Sequence, residues 1–150
     1  MAPSPDMQEK GQLLVRIRMD FQGEAQPKFL FGGKSGEKTA EEIREQKAAL
    51  LRNVPYQGIV IEDIDLSLDV YQIYDEYLDN YVYYAPLIVT LWASSVEDLI
   101  RFVIKEEFRK IDILQPQEFT LTGHGLERLL FKISEEIKYH RLSQEARHRR

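Results

Sequence analysis

A chain of 150 residues with 43% hydrophobic and 30% charged residues has the composition of one globular domain, large enough to hold a core without disulfides or a structural metal. Cysteine is absent, which excludes disulfides, thiol catalysis, iron–sulfur clusters and thiolate-bound zinc. The net charge of −5 is unevenly spread: Lys138, Arg141, Arg147, Arg149 and Arg150 against Glu145 give residues 138–150 a formal +4, which leaves −9 on residues 1–137. An acidic body weighs against phosphate-backbone binding as the main activity and leaves the basic tail as the place for any nucleic acid.

The opening MAPSPDMQEKG has no apolar leader, and no run approaches the roughly 18 apolar residues of a membrane span. The expectation is a soluble, cytoplasmic protein without membrane contact. Residues 1–11 read as a disordered lead, 12–142 as a single α+β domain and 143–150 as a flexible basic tail.

The first strand runs from Leu13 to Phe21, with Leu13, Val15, Ile17, Met19 and Phe21 facing inward and Leu14, Arg16, Arg18 and Asp20 outward. A long connection follows, in which Phe29-Leu30-Phe31 reads as a short extra strand or a flap on the core. Thr39 and Glu42 stand at capping-box spacing and predict a helix start. Ile43, Leu50, Leu51 and Val54 would form its buried stripe, and Pro55 with Gly58 would end it.

A strand from Ile59, with a bulge expected at Glu62 where its inward parity changes, leads into the chain's most unusual stretch, residues 64–92. Between Arg52 and Arg101 there is no Lys or Arg, whereas Asp63, Asp65, Asp69, Asp75, Glu76 and Asp79 all fall there. From Asp63 to Val70 apolar and polar residues alternate strictly, although Val70, Ile73, Tyr74, Tyr77, Leu78 and Tyr81 also fit a helical stripe. Six tyrosines between Tyr71 and Tyr84 and the turn-forming pair Asp79-Asn80 favour a hairpin over a helix at residues 66–81. A two-residue turn at Asp79-Asn80 would set Val70 opposite Val89, Leu68 opposite Leu91 and Tyr74 opposite Ala85.

Ser94 and Glu97 predict a second capped helix carrying Leu99, Phe102, Val103 and Phe108. Ile111 and Ile113 follow on a short strand, with Pro116 as a breaker and an extension through Phe119 and Leu121. A last helix from Leu126 to Leu142 would bury Leu126, Leu129, Leu130, Ile133 and Ile137. This order resembles the ferredoxin-like βαββαβ plan, an antiparallel sheet with helices on one face, followed by an added C-terminal helix. A helix over residues 66–81 would instead make alternating βα units with a parallel sheet.

No familiar reactive constellation survives inspection. The loop Gly32-Gly33-Lys34-Ser35-Gly36-Glu37-Lys38-Thr39 has Lys28 where a phosphate loop needs its first glycine, so it reads as a connection into a capped helix. Counted from Asp63, a calcium-binding helix–loop–helix would need Gly at its sixth position and Glu at its twelfth, and finds Leu68 and Tyr74. His140 and His148 lack metal-ligand spacing, and His124 between two glycines reads as part of the turn into the last helix. An RNA-recognition reading fails because the first strand has no central aromatic and Tyr83-Tyr84-Ala85-Pro86 lacks the basic-glycine-aromatic pattern.

No catalytic, cofactor-binding or metal-binding residue is therefore assigned. The leading expectation is a non-enzymatic interaction or regulatory domain that works through its open sheet face, with Arg16, Arg18, Tyr71, Ile73, Tyr84, Ile88 and Trp92 as the interaction residues. Its partner would be a second copy or another protein. The second expectation is a small-molecule- or metal-binding domain, or an enzyme of modest activity, with a pocket between the sheet and the loop at residues 22–38.

Overall fold

The computed structural model describes residues 12–23 and 35–148, the side chain of His148 excepted. Five strands, β1 (Leu13–Gly23), β2 (Ile59–Asp65), β3 (Tyr71–Asp75), β4 (Asn80–Ala93) and β5 (Phe108–Gln115), form one antiparallel sheet. Its order is β2-β4-β1-β5, with β3 also paired to β4. The helices are α1 (Gly36–Asn53), the single-turn α2 (Ile100–Val103), entered through a 3-10 turn at Glu97–Leu99, and the long α3 (Gly123–His148). Among the described residues every strand pairing is antiparallel, which removes the parallel-sheet alternative, and residues 66–81 hold no helix. Among the described residues no helix is long and apolar enough to cross a membrane.

The hairpin is real, but its turn and register differ from the sequence expectation. Asp75 pairs with Asn80, so the loop is Glu76–Asp79, and Asp79 takes the left-handed conformation at φ 50°. The Asp75 carboxylate accepts from the Tyr77 and Leu78 amides, at 2.8 and 3.1 Å, and pins this wider turn. Tyr74 consequently faces Tyr81 and not Ala85. Val89 faces Ile64 and not Val70, while Leu91 faces Ile61 and not Leu68. The bulge expected at Glu62 is present, between Ile61 and Asp63.

Pro86 explains why β2 and β3 are two strands along one edge of β4. The Asp20 amide donates to Glu107 in the direction of β5, so in the Asp20–Pro86 pair both backbones turn away from each other and Pro86 faces the β2/β3 side. Proline offers no N–H there, and the chain opposite cannot complete its ladder. Arg44 of α1, buried, occupies the gap. Its guanidinium donates to the Leu68 carbonyl at 2.8 Å and to the Pro86 carbonyl at 3.3 Å.

The core lies between the sheet and α1, where Leu13, Val15, Ile17, Met19 and Phe21 meet Leu87, Val89 and Leu91. The helix contributes small residues to it. Ala40, Arg44, Ala48 and Leu51 are buried, whereas Leu50 and Val54, expected inside, are 45% and 44% exposed. The close approach of helix to sheet demands this: a Cβ built on Gly23 would stand 2.3 Å from the Ala40 amide nitrogen. The N-cap is Ser35, four residues before the expected start, with its hydroxyl accepting from the Lys38 amide at 3.2 Å. Gly32 to Lys34 and Phe29 to Phe31 lie outside the described residues.

The second expected helix shrinks to the 3-10 turn and α2, with Leu99 and Phe102 buried and Phe108 already in β5. Its N-cap is Val96, two residues later than the capping box placed it, and Ser95 donates to Asp98 within this turn at 3.0 Å. β5 ends at Gln115 before Pro116, and residues 116–122 form no strand, so the extension through Phe119 and Leu121 is absent. Thr122 caps α3, accepting from Gly125 at 2.9 Å, and puts His124 in the first turn. The helix continues through residues expected in the tail, and Gln144 donates to Glu106 at 2.6 Å. α3 packs on the 3-10 turn and α2, and leaves Leu126, Leu130 and Ile137 largely exposed.

Candidate functional site

Directly opposed residues in antiparallel strands share a face, and the register shows what lies opposite the core. Rows of opposed residues cross the sheet on this outer face, that of Asp20 and Pro86 among them. Val60, Trp92, Leu14 and Gln115 make one row. Next come Asp63, Thr90, Arg16 and Asp112, then Asp65, Ile88, Arg18 and Lys110. Tyr71, Tyr84 and Gln22 complete the face, with Ile73 and Val82 beyond them. All seven residues expected to interact, Arg16, Arg18, Tyr71, Ile73, Tyr84, Ile88 and Trp92, are brought together on this one surface.

Their exposure is not uniform. Arg16 and Ile73 are exposed, and Arg18, Tyr71, Tyr84 and Ile88 are half-buried. Trp92 is only 7% exposed, so it underlies the face and does not present its ring. Among the described residues its buried indole Nε1 finds no hydrogen-bond partner.

At the tyrosine end the sequence reading missed the organising group. Asp20 was expected on the surface, yet it is 2% exposed and gathers cations and a phenol around itself. Arg18 Nε reaches Asp20 Oδ1 at 3.0 Å, the Tyr71 hydroxyl donates to Oδ2 at 2.5 Å, and Arg109 Nε stands 3.8 Å from Oδ2. Tyr71 stacks on Tyr84 with centroids 5.4 Å apart, and the Arg109 guanidinium lies over the Tyr84 ring at 5.5 Å. The signal available in the sequence was an acid in an Arg-x-Asp pair at alternate strand positions, Arg18 and Asp20. Arg109 arrives from a strand nearly ninety positions later, and no local pattern points to it.

The electrostatics follow from these contacts. Burial, then the Asp20 hydrogen bond, pushes the Tyr71 phenol above its ordinary value despite Arg109. The Arg18 guanidinium is held above its usual range chiefly by its bond to Asp20. Asp65, at the far edge, is held below the carboxylate range by the Ser67 hydroxyl and amide. The cluster holds a hydrogen-bonded carboxylate, two guanidinium groups and a phenol, an arrangement suited to fixing side chains in place.

The remaining candidates are scattered. His124 sits 3.5 Å from Glu127 at the start of α3, while His140 lies on the opposite part of that helix. Asp69 falls in the gap between β2 and β3, apart from Asp63 and Asp65 on β2. Among the described residues no group of three or more His, Asp or Glu side chains could hold a metal ion. Comparison with protein families, curated proteins and solved structures gives no match, so function rests on this geometry.

Proposed function

We propose that the chain is a non-enzymatic interaction domain that docks through the outer face of its sheet, and that a second copy is the partner this face fits best. The supporting observation is the charge layout of the two middle rows. Arg16 and Arg18 on β1 and Asp63 and Asp65 on β2 flank β4 on opposite sides, with Thr90 and Ile88 between them. A two-fold axis running along β4 in the plane between two facing sheets would set each arginine pair over the partner's aspartate pair. Ile88 would meet its own copy at the centre, and stacked sheets stand about 10 Å apart, within reach of these side chains. In the fold itself we read β2 and β3 as one strand broken at Pro86. That leaves the first and third strands central, as the ferredoxin-like plan requires, with α1 and α2 on the inner side.

Light scattering of the intact chain tests the reading. The native protein should be a dimer. Arg16→Glu and, separately, Asp63→Arg should each give folded monomers, because like charges then face each other. Mixing the two variants should restore a dimer with complementary faces. A native chain that stays monomeric at several hundred micromolar ends the self-association reading.

A further inference from the structure

Two cavities adjoin along α3, one on the core side of the sheet between α1, α2 and α3 and the other reaching Asp20, Gln22 and Tyr84 of the outer face. The first, of about 480 Å³, has the buried core side chains Met19, Phe21, Leu51 and Phe102 as its floor, with Leu50 and Tyr56 as its walls. That volume is in the range of small-ligand sites. It also accounts for Leu50, the exposed leucine on the helix side that the sequence stripe placed in the core. The second, of about 320 Å³, is polar, with Arg109, His140, Gln144 and Arg147 along it. Phe21, Lys47, Lys105 and Glu107 line both, so the apolar and polar parts meet at the two lysines.

Charge at this junction runs against that of the acidic body. Five cations, Lys47, Arg101, Lys105, Arg109 and Arg147, line the joined cavities. Of the four carboxylates there, Asp20 is held by Arg18 at 3.0 Å with the cavity's Arg109 at 3.8 Å, and Glu136 by Lys132 at 3.2 Å, Arg18 and Lys132 lying outside the cavities. Only Glu106 and Glu107 remain, and Glu106 already accepts from Gln144. Among the described residues neither the Lys47 nor the Lys105 ammonium makes a hydrogen bond or ion pair.

We infer that the joined cavities form a binding site for a small amphipathic anion, with an apolar body over Met19, Phe21, Leu51 and Phe102 and an acidic head between Lys47 and Lys105. An apolar floor supplies binding free energy by removing hydrocarbon from water, and uncommitted ammonium groups at its mouth select for a negative head. α3 walls the site through Glu136, Tyr139 and His140. Among the described residues the helix packs chiefly on the short 3-10 turn and α2, so a bound ligand would add contacts where the fold has few.

The test uses the intact native chain with anilinonaphthalene sulfonate as the fluorescent probe, and decanoate, decanol and inorganic phosphate as competitors. The expected result is saturable probe binding that decanoate displaces, with decanol and phosphate at least tenfold weaker. Decanoate should also raise the melting temperature and slow amide exchange along α3. Lys47→Gln/Lys105→Gln should weaken decanoate about tenfold, equivalent to 1.4 kcal/mol, while melting as the native chain does. Displacement by decanol as strong as by decanoate would overturn the inference. So would competition by phosphate alone, unaltered affinity in the double variant, or no saturable binding at millimolar decanoate. The outer-face variant Arg16→Glu, whose residue lines neither cavity, should bind decanoate normally, so failure of the dimer and failure of this site read out separately.

Discussion

The Tyr71 hydroxyl donates to Asp20 Oδ2 at 2.5 Å, joining residues 51 positions apart on two strands that do not pair with each other. β4 lies between them, and at this level it carries Pro86 opposite Asp20 and Tyr84 opposite Tyr71. The bond therefore ties the outlying β3 to the centre of the sheet across the point where the edge strand is broken. It is also what lets Asp20 be buried: its oxygens accept from Arg18 and Tyr71 with Arg109 close by, so the carboxylate is paired and hydrogen-bonded.

Asp20→Ala should destabilise the fold by about 2 kcal/mol, because it leaves a half-buried phenol and two partly exposed arginines without their shared carboxylate. Urea unfolding monitored by circular dichroism measures this. A loss below about 1 kcal/mol would show that Asp20 is an ordinary surface residue.

Alkaline stability should depend on Tyr71. Its folded-state ionisation is raised above the ordinary value of 10.0, mainly by burial and then by Asp20. The protonated phenol is thus favoured by folding, and its contribution is fully present below pH 10 and lost as pH rises through the folded-state value. Tyr71→Phe should flatten the decline in unfolding free energy above pH 10, while lowering stability at neutral pH by about 1 kcal/mol for the lost bond. An unchanged alkaline slope would contradict this.

Arg44→Met should cost about 2 kcal/mol, since the Leu68 and Pro86 carbonyls would lose their donor. The damage should be local first. Hydrogen exchange should quicken at residues 66–70 before the rest of the sheet, whereas uniform acceleration would mean that Arg44 serves the whole core and not the break.

Two glycines should respond oppositely to alanine. Gly23→Ala places a methyl group against the backbone of Ala40 and should destabilise by about 2–3 kcal/mol. At Gly123, where a Cβ meets nothing within 4 Å, alanine should be neutral or stabilise slightly through its better helix propensity. Parallel thermal melts of the two variants decide the matter, and comparable effects would refute the close approach of α1 to β1.

What the sequence determined by itself were the features that neighbouring residues settle. The alternation from Leu13 to Phe21 set β1 and its faces, tyrosines and turn-forming residues made residues 71–84 a hairpin, and a change of parity located the bulge at Glu62. The same alternation placed the seven outer-face residues on one side, because a strand's period of two carries face along the chain without knowledge of its partner. The tertiary structure decided register, break and charge burial, each of which depends on residues far apart. Pro86 interrupts an edge strand some twenty positions earlier, and the close packing of α1 admits Ala40 and Ala48 beside Leu51 while Leu50 stays outside. Asp20 and Arg44 read as surface charges because nothing adjacent in sequence answers them; their partners arrive from β3, β5 and the broken edge only once the sheet has closed.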